Sequence, residues 1–208
     1  MARPDELTGI AGVAADVMDR LGEVGVGVLV AAENLFPPIP SEVVLPLAGF
    51  LASQGRLSLV LTIVAATVGS VVGALALYEL GARVGSPRLH RWVDRLPLLE
   101  EEDLDKAEDW FRRHGEASVL LGRCIPVVRS LISVPAGVEG MPRWRFLLLT
   151  TLGSAVWNSF FVLAGYALGS SFEQVGEYSS YLNYAIYAAI LVLLALGLRR
   201  ALRRRRTA

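Results

Sequence analysis

Four ionisable residues stand in apolar segments that contain proline, and they are the residues of this sequence best suited to chemistry. Glu33 and Glu42 flank the proline cluster of ENLFPPIPSE, and Arg123 and Arg129 flank Pro126 in GRCIPVVRS. At bilayer depth an ionisable side chain costs from about 2.5 to over 10 kcal/mol, so it persists mainly where it is paired, hydrated or functional. The pattern predicts a polar site in which two acids meet two bases.

The two arginines are suited to holding a phosphate. A guanidinium group offers two parallel hydrogen bonds to a phosphate or carboxylate and keeps its charge when partly desolvated, which lysine does less well. We therefore predict that Arg123 and Arg129 bind the phosphate headgroup of a lipid.

The two acids suggest proton coupling. Burial raises the pKa of a carboxyl group and a nearby arginine lowers it, so a group balanced between the two effects can take up and release a proton. We assign this role to Glu33 and Glu42. The alternative is that the four residues form buried Arg–Glu pairs that only hold two segments together, and both roles can coexist.

Hydropathy places these segments in a membrane. The chain has 208 residues, 53% of them hydrophobic, and residues 57–82 carry one charge while 146–172 and 178–198 carry none. Each run exceeds the roughly 20 residues that cross a bilayer core. The sequence thus predicts an all-α, polytopic membrane protein with three complete spans.

The distribution of arginine predicts the orientation. Positively charged residues concentrate on the cytoplasmic side of membrane proteins. The segments 83–115 and 199–206 are rich in arginine, whereas 170–180 contains two acids and neither lysine nor arginine. We therefore expect a multi-pass protein of the cell membrane with a cytoplasmic C-terminus and an external loop at 170–180.

Two apolar segments do not fit as complete crossings. Both flanks of 116–141 are predicted to be cytoplasmic, and prolines interrupt both this segment and the region around ENLFPPIPSE. Backbone broken by proline cannot face lipid, but it can line a polar cavity among helices. We predict two re-entrant hairpins that enter from opposite faces. Their re-entrant backbone includes Pro37, Pro38, Pro40, Pro126, Pro135 and Gly137.

The two halves of the chain also resemble each other. Gly69, Ser70, Val72 and Gly81 recur 84 positions later, from Gly153 onward, and Ala48-Gly49 recurs 88 positions later as Ala136-Gly137. Glycine is common in membrane helices, so chance similarity is the alternative. Paired interrupted segments in two halves are nevertheless typical of transporters built as inverted repeats.

These features predict one membrane domain over residues 1–208. Repeat one spans about 22–85, an amphipathic cytoplasmic connector about 86–115, and repeat two about 116–170, followed by a C-terminal span and basic tail at 178–208.

The sequence gives little support for other site chemistry. One cysteine, Cys124, excludes an intrachain disulfide, and the two histidines lie apart from it. We expect no catalytic residue set, no metal site and no cofactor. The basic tail orients the protein and need not bind nucleic acid.

Several of these motifs together resemble the DedA family of membrane proteins, also called SNARE-associated or VTT-domain proteins. The resemblance covers about residues 24–169. It rests on Glu33-Asn34, the proline cluster ending in Pro40-Ser41-Glu42, Ala48-Gly49, Arg113-His114-Gly115, Gly122-Arg123, Pro126, Arg129-Ser130 and Ala136-Gly137.

The resemblance implies two oppositely entering re-entrant hairpins and movement of lipid carriers across the cytoplasmic membrane. Bacterial members are linked to returning undecaprenyl phosphate to the inner leaflet with the proton motive force, and eukaryotic relatives scramble phospholipids. The family's functional set matches Glu33, Glu42, Arg123 and Arg129. Two positions depart from its pattern, because Ser41 replaces a usual glycine and Ala74 a frequent aspartate.

We therefore predict a membrane lipid transporter rather than an enzyme. Its partners are the bilayer and a lipid phosphate headgroup, on undecaprenyl phosphate or a similar anionic polyprenyl lipid or phospholipid; the sequence leaves homo-oligomer formation open. An energy-independent phospholipid scramblase would use the same groove. A membrane enzyme acting on lipid phosphates needs a nucleophile or base beside the arginines, where only His114 and Cys124 are close in sequence. A structural partner in membrane assembly is the remaining alternative.

Overall fold

The computed structural model describes residues 10–35, 41–84, 111, 113–125 and 128–169. Every regular element in these ranges is helical, which confirms the all-α prediction. The C-terminal span and tail, and the connector before residue 111, lie outside the described residues. The helices are α1 (Ile10–Leu21), α2 (Glu23–Leu35), α3 (Ser41–Ser53), α4 (Leu59–Val84), α5 (Glu116–Gly122), α6 (Val128–Leu131), α7 (Ser133–Val138) and α8 (Arg143–Leu168).

Two helices, α4 and α8, are long and apolar enough to cross a membrane within the described part of the chain. Each has 26 residues, which at 1.5 Å per residue gives about 39 Å, more than the roughly 30 Å of a bilayer core. They confirm the spans predicted at 57–82 and 146–172. The second begins earlier than predicted because extended backbone at Pro142 (ψ 127°) starts it, and Gly169, with φ 24°, ends it.

The two long helices run antiparallel. Arg143, at the start of α8, pairs with Glu79 near the end of α4 (2.8 Å). Farther along α8, Asn158 Nδ2 donates hydrogen bonds to Ser70 Oγ (3.2 Å) and Thr67 Oγ1 (3.4 Å) in the middle of α4. The contacts thus move towards the start of α4 as α8 advances.

The remaining helices are too short to cross a bilayer alone. The helices α2 and α3 have 13 residues each, or about 20 Å, and α5, α6 and α7 have seven, four and six. Helices of this length can cover only part of the roughly 30 Å of a bilayer core.

Two of the residues assigned to re-entrant backbone lie in a described helix. Pro135 lies in the first turn of α7, where an N–H would have no partner within the helix anyway, and Gly137 lies in the same helix. Pro46 lies inside α3. Pro37, Pro38, Pro40 and Pro126 lie outside the described residues.

Glycines allow α3 to pack backbone to backbone against α8. A methyl group on Gly49 would overlap the carbonyl oxygen of Val162, and one on Gly165 would overlap the carbonyl oxygen of Pro46. Any side chain at either glycine therefore forces the two helices apart.

The helices α7 and α4 repeat this contact in the other half of the chain. A methyl group on Gly137 would overlap the carbonyl oxygen of Tyr78, and one on Gly81 would overlap that of Val134. These residues stand at the sequence offsets already noted, since Gly137 follows Gly49 by 88 positions and Val162 follows Tyr78 by 84. Each short helix thus packs on the long helix of the other half.

The buried apolar side chains form two clusters at different levels of the long helices. One joins α1, α2 and α3 to Ala66 of α4 and Val162 of α8. The other joins α5 and α7 to Ala74 and Tyr78 of α4 and Phe146 of α8. The buried charged side chains lie between these two apolar clusters.

We predict that Gly49→Ala and Gly137→Ala each lower the stability of the protein in detergent. Each added methyl group meets a fixed backbone carbonyl, and overpacking of this kind typically costs about 1–3 kcal/mol. Thermal unfolding followed by fluorescence-detected size exclusion measures the loss.

Gly122→Ala is the matched control, because its new methyl group would meet only side-chain carbons of Val128 and Ile132, at 3.3 and 3.4 Å. Equal midpoints for all three variants would contradict the assigned backbone contacts.

Candidate functional site

The buried charged groups gather where α2, α5, α6 and α7 end or begin. Glu33 and Asn34 occupy the last turn of α2, Arg123 follows α5, Arg129 lies in α6, and Ser133 begins α7. All five side chains are buried, and Arg123, at 2% exposure, is among the largest fully enclosed side chains of the described chain. We call these five residues the polar cluster.

The polar cluster lies near the middle of both long helices. A methyl group on Gly73, in the middle of α4, would lie 2.7 Å from Asn34 Cβ. A methyl group on Gly153, in the middle of α8, would lie 2.7 Å from Arg123 Cβ. Glycine at these positions therefore makes room for Asn34 and Arg123 at mid-depth.

Arg129 pairs with a carboxylate. Its Nη2 lies 3.0 Å from Glu33 Oε1, and its guanidinium carbon lies 6.0 Å from the centre of the Trp157 ring. The Nη2 group makes no aligned hydrogen bond within the described residues, so the contact is an electrostatic pair rather than a bidentate one. Breaking a buried pair of this kind costs about 3–5 kcal/mol because it leaves an uncompensated charge.

Arg123 has only neutral partners within the described residues. Its Nη2 donates to Ser133 Oγ (2.6 Å) and its Nη1 donates to Asn34 Oδ1 (3.4 Å). Its guanidinium carbon lies 5.9 Å from the centre of the Phe146 ring. No described carboxylate forms an ion pair with it, and its buried Nε has no hydrogen-bond acceptor among the described residues.

The structure brings together three of the four residues predicted to form the site. Glu33 and Arg129 are in direct contact, and Arg123 joins them through Asn34, the residue that follows Glu33. Glu42 lies in the first turn of α3 and is half-buried, and it forms no ion pair with another described residue. Of the two acids predicted to meet the arginines, Glu33 does so within the described residues and Glu42 does not.

Four further residues of the site were not predicted from the sequence. Asn34 and Ser133 hold Arg123, while Phe146 and Trp157 stack near the two arginines. Asn34 had a signal, because it lies next to Glu33 in a polar break of an apolar run. The two aromatic residues had none, since α8 contains several aromatics of the same kind.

The charges of the polar cluster do not balance. Among the described residues, two buried guanidinium groups and one buried carboxylate leave one excess positive charge, and an uncompensated buried ion is costly. Ala74, where the resemblance led us to note a missing aspartate, is fully buried and apolar. Within the described residues, no group of three or more His, Cys, Asp or Glu side chains could hold a metal ion.

A helical fold with two apolar spans and an enclosed charged cluster defines a membrane protein with a polar site between its helices. Residues 39–167 match the model of the VTT domain. The chain therefore belongs to the VTT-domain family, also known as the DedA family, which confirms the resemblance drawn from its motifs.

Curated relatives cover most of the chain. Undecaprenyl phosphate transporter A of Staphylococcus aureus is 32% identical over 183 residues, 86% of this chain and 90% of that protein. A protein of the same name from Bacillus subtilis is 34% identical over 158 residues, 76% of this chain and 79% of that protein. An alkaline phosphatase-like protein of Lactococcus lactis is 43% identical over 186 residues, 88% of this chain and 87% of that protein. No solved structure matches the chain.

We predict energetic coupling between Glu33 and Arg129. Arg129→Gln alone should destabilise the protein by about 3–5 kcal/mol, because it leaves the buried carboxylate without its counter-charge, and Glu33→Gln should restore part of the loss. A double-mutant cycle on thermal unfolding in detergent measures the coupling.

The exposed pair Glu79–Arg143 serves as the control, with an expected coupling of about 1 kcal/mol or less. Strictly additive effects at Glu33 and Arg129 would show that the two side chains do not interact in the folded protein.

Proposed function

We propose that this protein moves an anionic lipid phosphate between the leaflets of the bacterial cell membrane. The substrate class is undecaprenyl phosphate or a similar anionic polyprenyl lipid or phospholipid. The observation that carries the proposal is the excess, among the described buried residues, of guanidinium over carboxylate groups near the middle of both long helices. The Staphylococcus and Bacillus relatives, both named undecaprenyl phosphate transporter A, support the same substrate.

In this proposal, Arg123 and Arg129 bind the phosphate. Arg123 keeps three N–H donors after its hydrogen bonds to Ser133 and Asn34, since a guanidinium group has five. Phosphate oxygens accept paired bonds from such a group with a strength that neutral donors do not match. The aromatic rings beside both arginines stabilise the cations while no phosphate is bound.

Glu33 and Glu42 couple this binding to protonation in the proposed cycle. Glu33 already competes for Arg129, so a phosphate at Arg129 and a charged Glu33 oppose each other. Glu42, half-buried in the first turn of α3, is the second proton carrier. The proton motive force would then drive net movement of the lipid.

We further propose that α2–α3 and α5–α7 are the two re-entrant hairpins of an inverted repeat. The start of α2 lies beside the end of α3, because Ser58 N–H donates to Glu23 Oε1 (2.8 Å) just after the turn that follows α3. The start of α5 lies beside the start of α8, because Glu116 pairs with Arg145. The matched glycine contacts support the repeat.

The charged ends support an orientation with the C-terminus in the cytoplasm. Arg83, Arg143 and Arg145 lie at the end of α4 and the start of α8, whereas Arg56 pairs with Asp19 near the start of α4 (2.6 Å). Because arginine favours the cytoplasmic side, we assign the first end to the cytoplasm, and the basic tail agrees with this assignment.

A hydrolytic activity on lipid phosphates is the second candidate, because the Lactococcus relative carries an alkaline phosphatase-like name. In the described part of the site, Cys124 is exposed and His114 is exposed, so neither side chain lies with the buried arginines. Release of inorganic phosphate from the lipid is the product that distinguishes this activity from transport.

We predict that Arg123→Gln slows lipid movement at least tenfold, since one lost charge-assisted hydrogen bond already corresponds to roughly a tenfold change or more. The assay follows a fluorescent polyprenyl phosphate in proteoliposomes, with and without a pH gradient, and records phosphate release in parallel. Arg113→Gln, at an exposed arginine, is the control.

Faster movement under the gradient supports proton coupling, whereas equal rates in both conditions identify an energy-independent scramblase. Phosphate release at the rate of probe loss identifies an enzyme. A correctly folded Arg123→Gln protein with the wild-type rate would overturn the assigned role of the site.

A further inference from the structure

Trp157 lies at an unusual depth for a tryptophan. It stands four positions after Gly153, near the middle of α8, whereas tryptophan in membrane proteins is enriched at the two interfaces with water. There the indole N–H finds a polar partner. The Nε1 of Trp157 is instead buried and has no hydrogen-bond partner among the described residues. A buried donor without an acceptor is costly, so this position favours a bound group that supplies one.

Trp157 also borders the polar cluster. The guanidinium carbon of Arg129 lies 6.0 Å from the centre of its ring, and Arg129 in turn lies 3.0 Å from Glu33 Oε1. In the function proposed above, a lipid phosphate binds at the two buried arginines. Phosphate oxygens are strong acceptors, so the phosphate supplies the acceptor that the indole N–H lacks within the described residues.

Two phenylalanine rings continue from Trp157 to the outside of the helices. The ring of Phe161, one turn farther along α8, has its centre 4.7 Å from that of Trp157. The ring of Phe160 meets Phe161 edge to face, with 5.2 Å between centres, and Phe160 is 66% exposed. The three rings, which we call the aromatic path, thus connect the buried arginine to an exposed surface of a membrane-length helix.

Helix α4, the counterpart of α8 in the other half of the chain, lacks the aromatic path. At the offset of 84 positions that relates the two helices, Gly73, Ala76 and Leu77 stand in place of the three rings. Small and aliphatic residues therefore suffice at these positions for the packing of a membrane-length helix. The three rings are an addition to the repeated framework, which indicates a role beyond packing.

The chemistry of a polyprenyl tail suits the aromatic path. Each isoprene unit carries a double bond and a methyl branch, so the tail presents flat π faces that can stack on aromatic rings. A saturated straight chain offers no such faces. A tail that follows these rings leaves the polar cluster through apolar contacts alone, while the phosphate stays with the arginines.

We propose that the aromatic path binds the first units of a polyprenyl tail, and that Trp157 Nε1 donates a hydrogen bond to the phosphate of the same lipid. Trp157 is then the residue at which headgroup and tail are recognised together. This inference rests on the proposed binding of a lipid phosphate at the polar cluster. It narrows the substrate class from anionic lipids in general to polyprenyl phosphates.

The experiment compares two probes that share a phosphomonoester headgroup and the length of the main chain. Farnesyl phosphate carries isoprene units, whereas dodecyl phosphate is saturated and unbranched. Both compete with a fluorescent polyprenyl phosphate for the full chain in detergent, and the preference is the ratio of the two inhibition constants. Partition of each probe into detergent is the same for every variant, so a change in this ratio reports the protein.

The double variant Phe160→Leu and Phe161→Leu tests the tail contact, because it keeps apolar side chains and removes two rings. We expect the preference for farnesyl phosphate to fall roughly fivefold, since that probe loses its aromatic contacts and dodecyl phosphate has none to lose. Phe160→Leu alone changes an exposed side chain and should lose part of the preference, which tests the contact if the double variant does not fold. Trp144→Leu, at the exposed start of α8, is the control and should keep the wild-type ratio.

Trp157→Phe tests the hydrogen bond, because it removes the N–H and keeps an aromatic ring. Both probes should bind roughly tenfold more weakly, as expected for a lost hydrogen bond to a charged group. Their ratio should stay at the wild-type value, because the two probes share the headgroup.

Two outcomes overturn the inference. An unchanged ratio in the phenylalanine variants would show that the rings only pack within the protein, and wild-type affinity of Trp157→Phe for both probes would remove the hydrogen bond. Either result leaves the proposed transport of a lipid phosphate intact. Absence of competition by both probes at the wild-type protein would instead count against the proposed function itself.

Discussion

The buried guanidinium group of Arg123 is the main constraint on this structure. It lies near the middle of two membrane-length helices and has no ionic partner among the described residues. Arg123 can occupy that position because Ser133 and Asn34 accept its hydrogen bonds and because Gly153 leaves room beside its side chain. The short helices α2, α5, α6 and α7 begin or end at these polar groups. The architecture is thus the condition under which this charge can stay buried.

Much of the fold could be predicted from the sequence, because hydropathy and length act locally. The spans at α4 and α8 followed from long apolar runs with one charge or none. Helix α4 lies two residues later than predicted, and α8 starts and ends earlier than predicted, where Pro142 and Gly169 set the backbone. The helical conformation at Pro135 and Pro46 could not be predicted in the same way. Proline disfavours a helix interior on average, but its position within a turn and the packing around it decide whether the helix continues.

The site was predictable in its charges and not in its neighbours. Glu33, Arg123 and Arg129 stood out because ionisable residues are rare in apolar segments. Their pairing depends on tertiary contacts between α2 and α6 and between α2 and the end of α5, which no local pattern encodes. Ser133, Phe146 and Trp157 resemble ordinary residues of membrane helices, so only the packed structure distinguishes them. Glu42 carried the same signal as Glu33, yet it is not in the ion pair.

The reciprocal glycine contacts have a consequence for how the protein is made. Gly49 needs α8 as its packing surface, and α8 is synthesised about a hundred residues later. The packing surface of Gly49 is therefore absent until α8 has been synthesised. Each half therefore lacks, without the other, the surface on which its short helix packs.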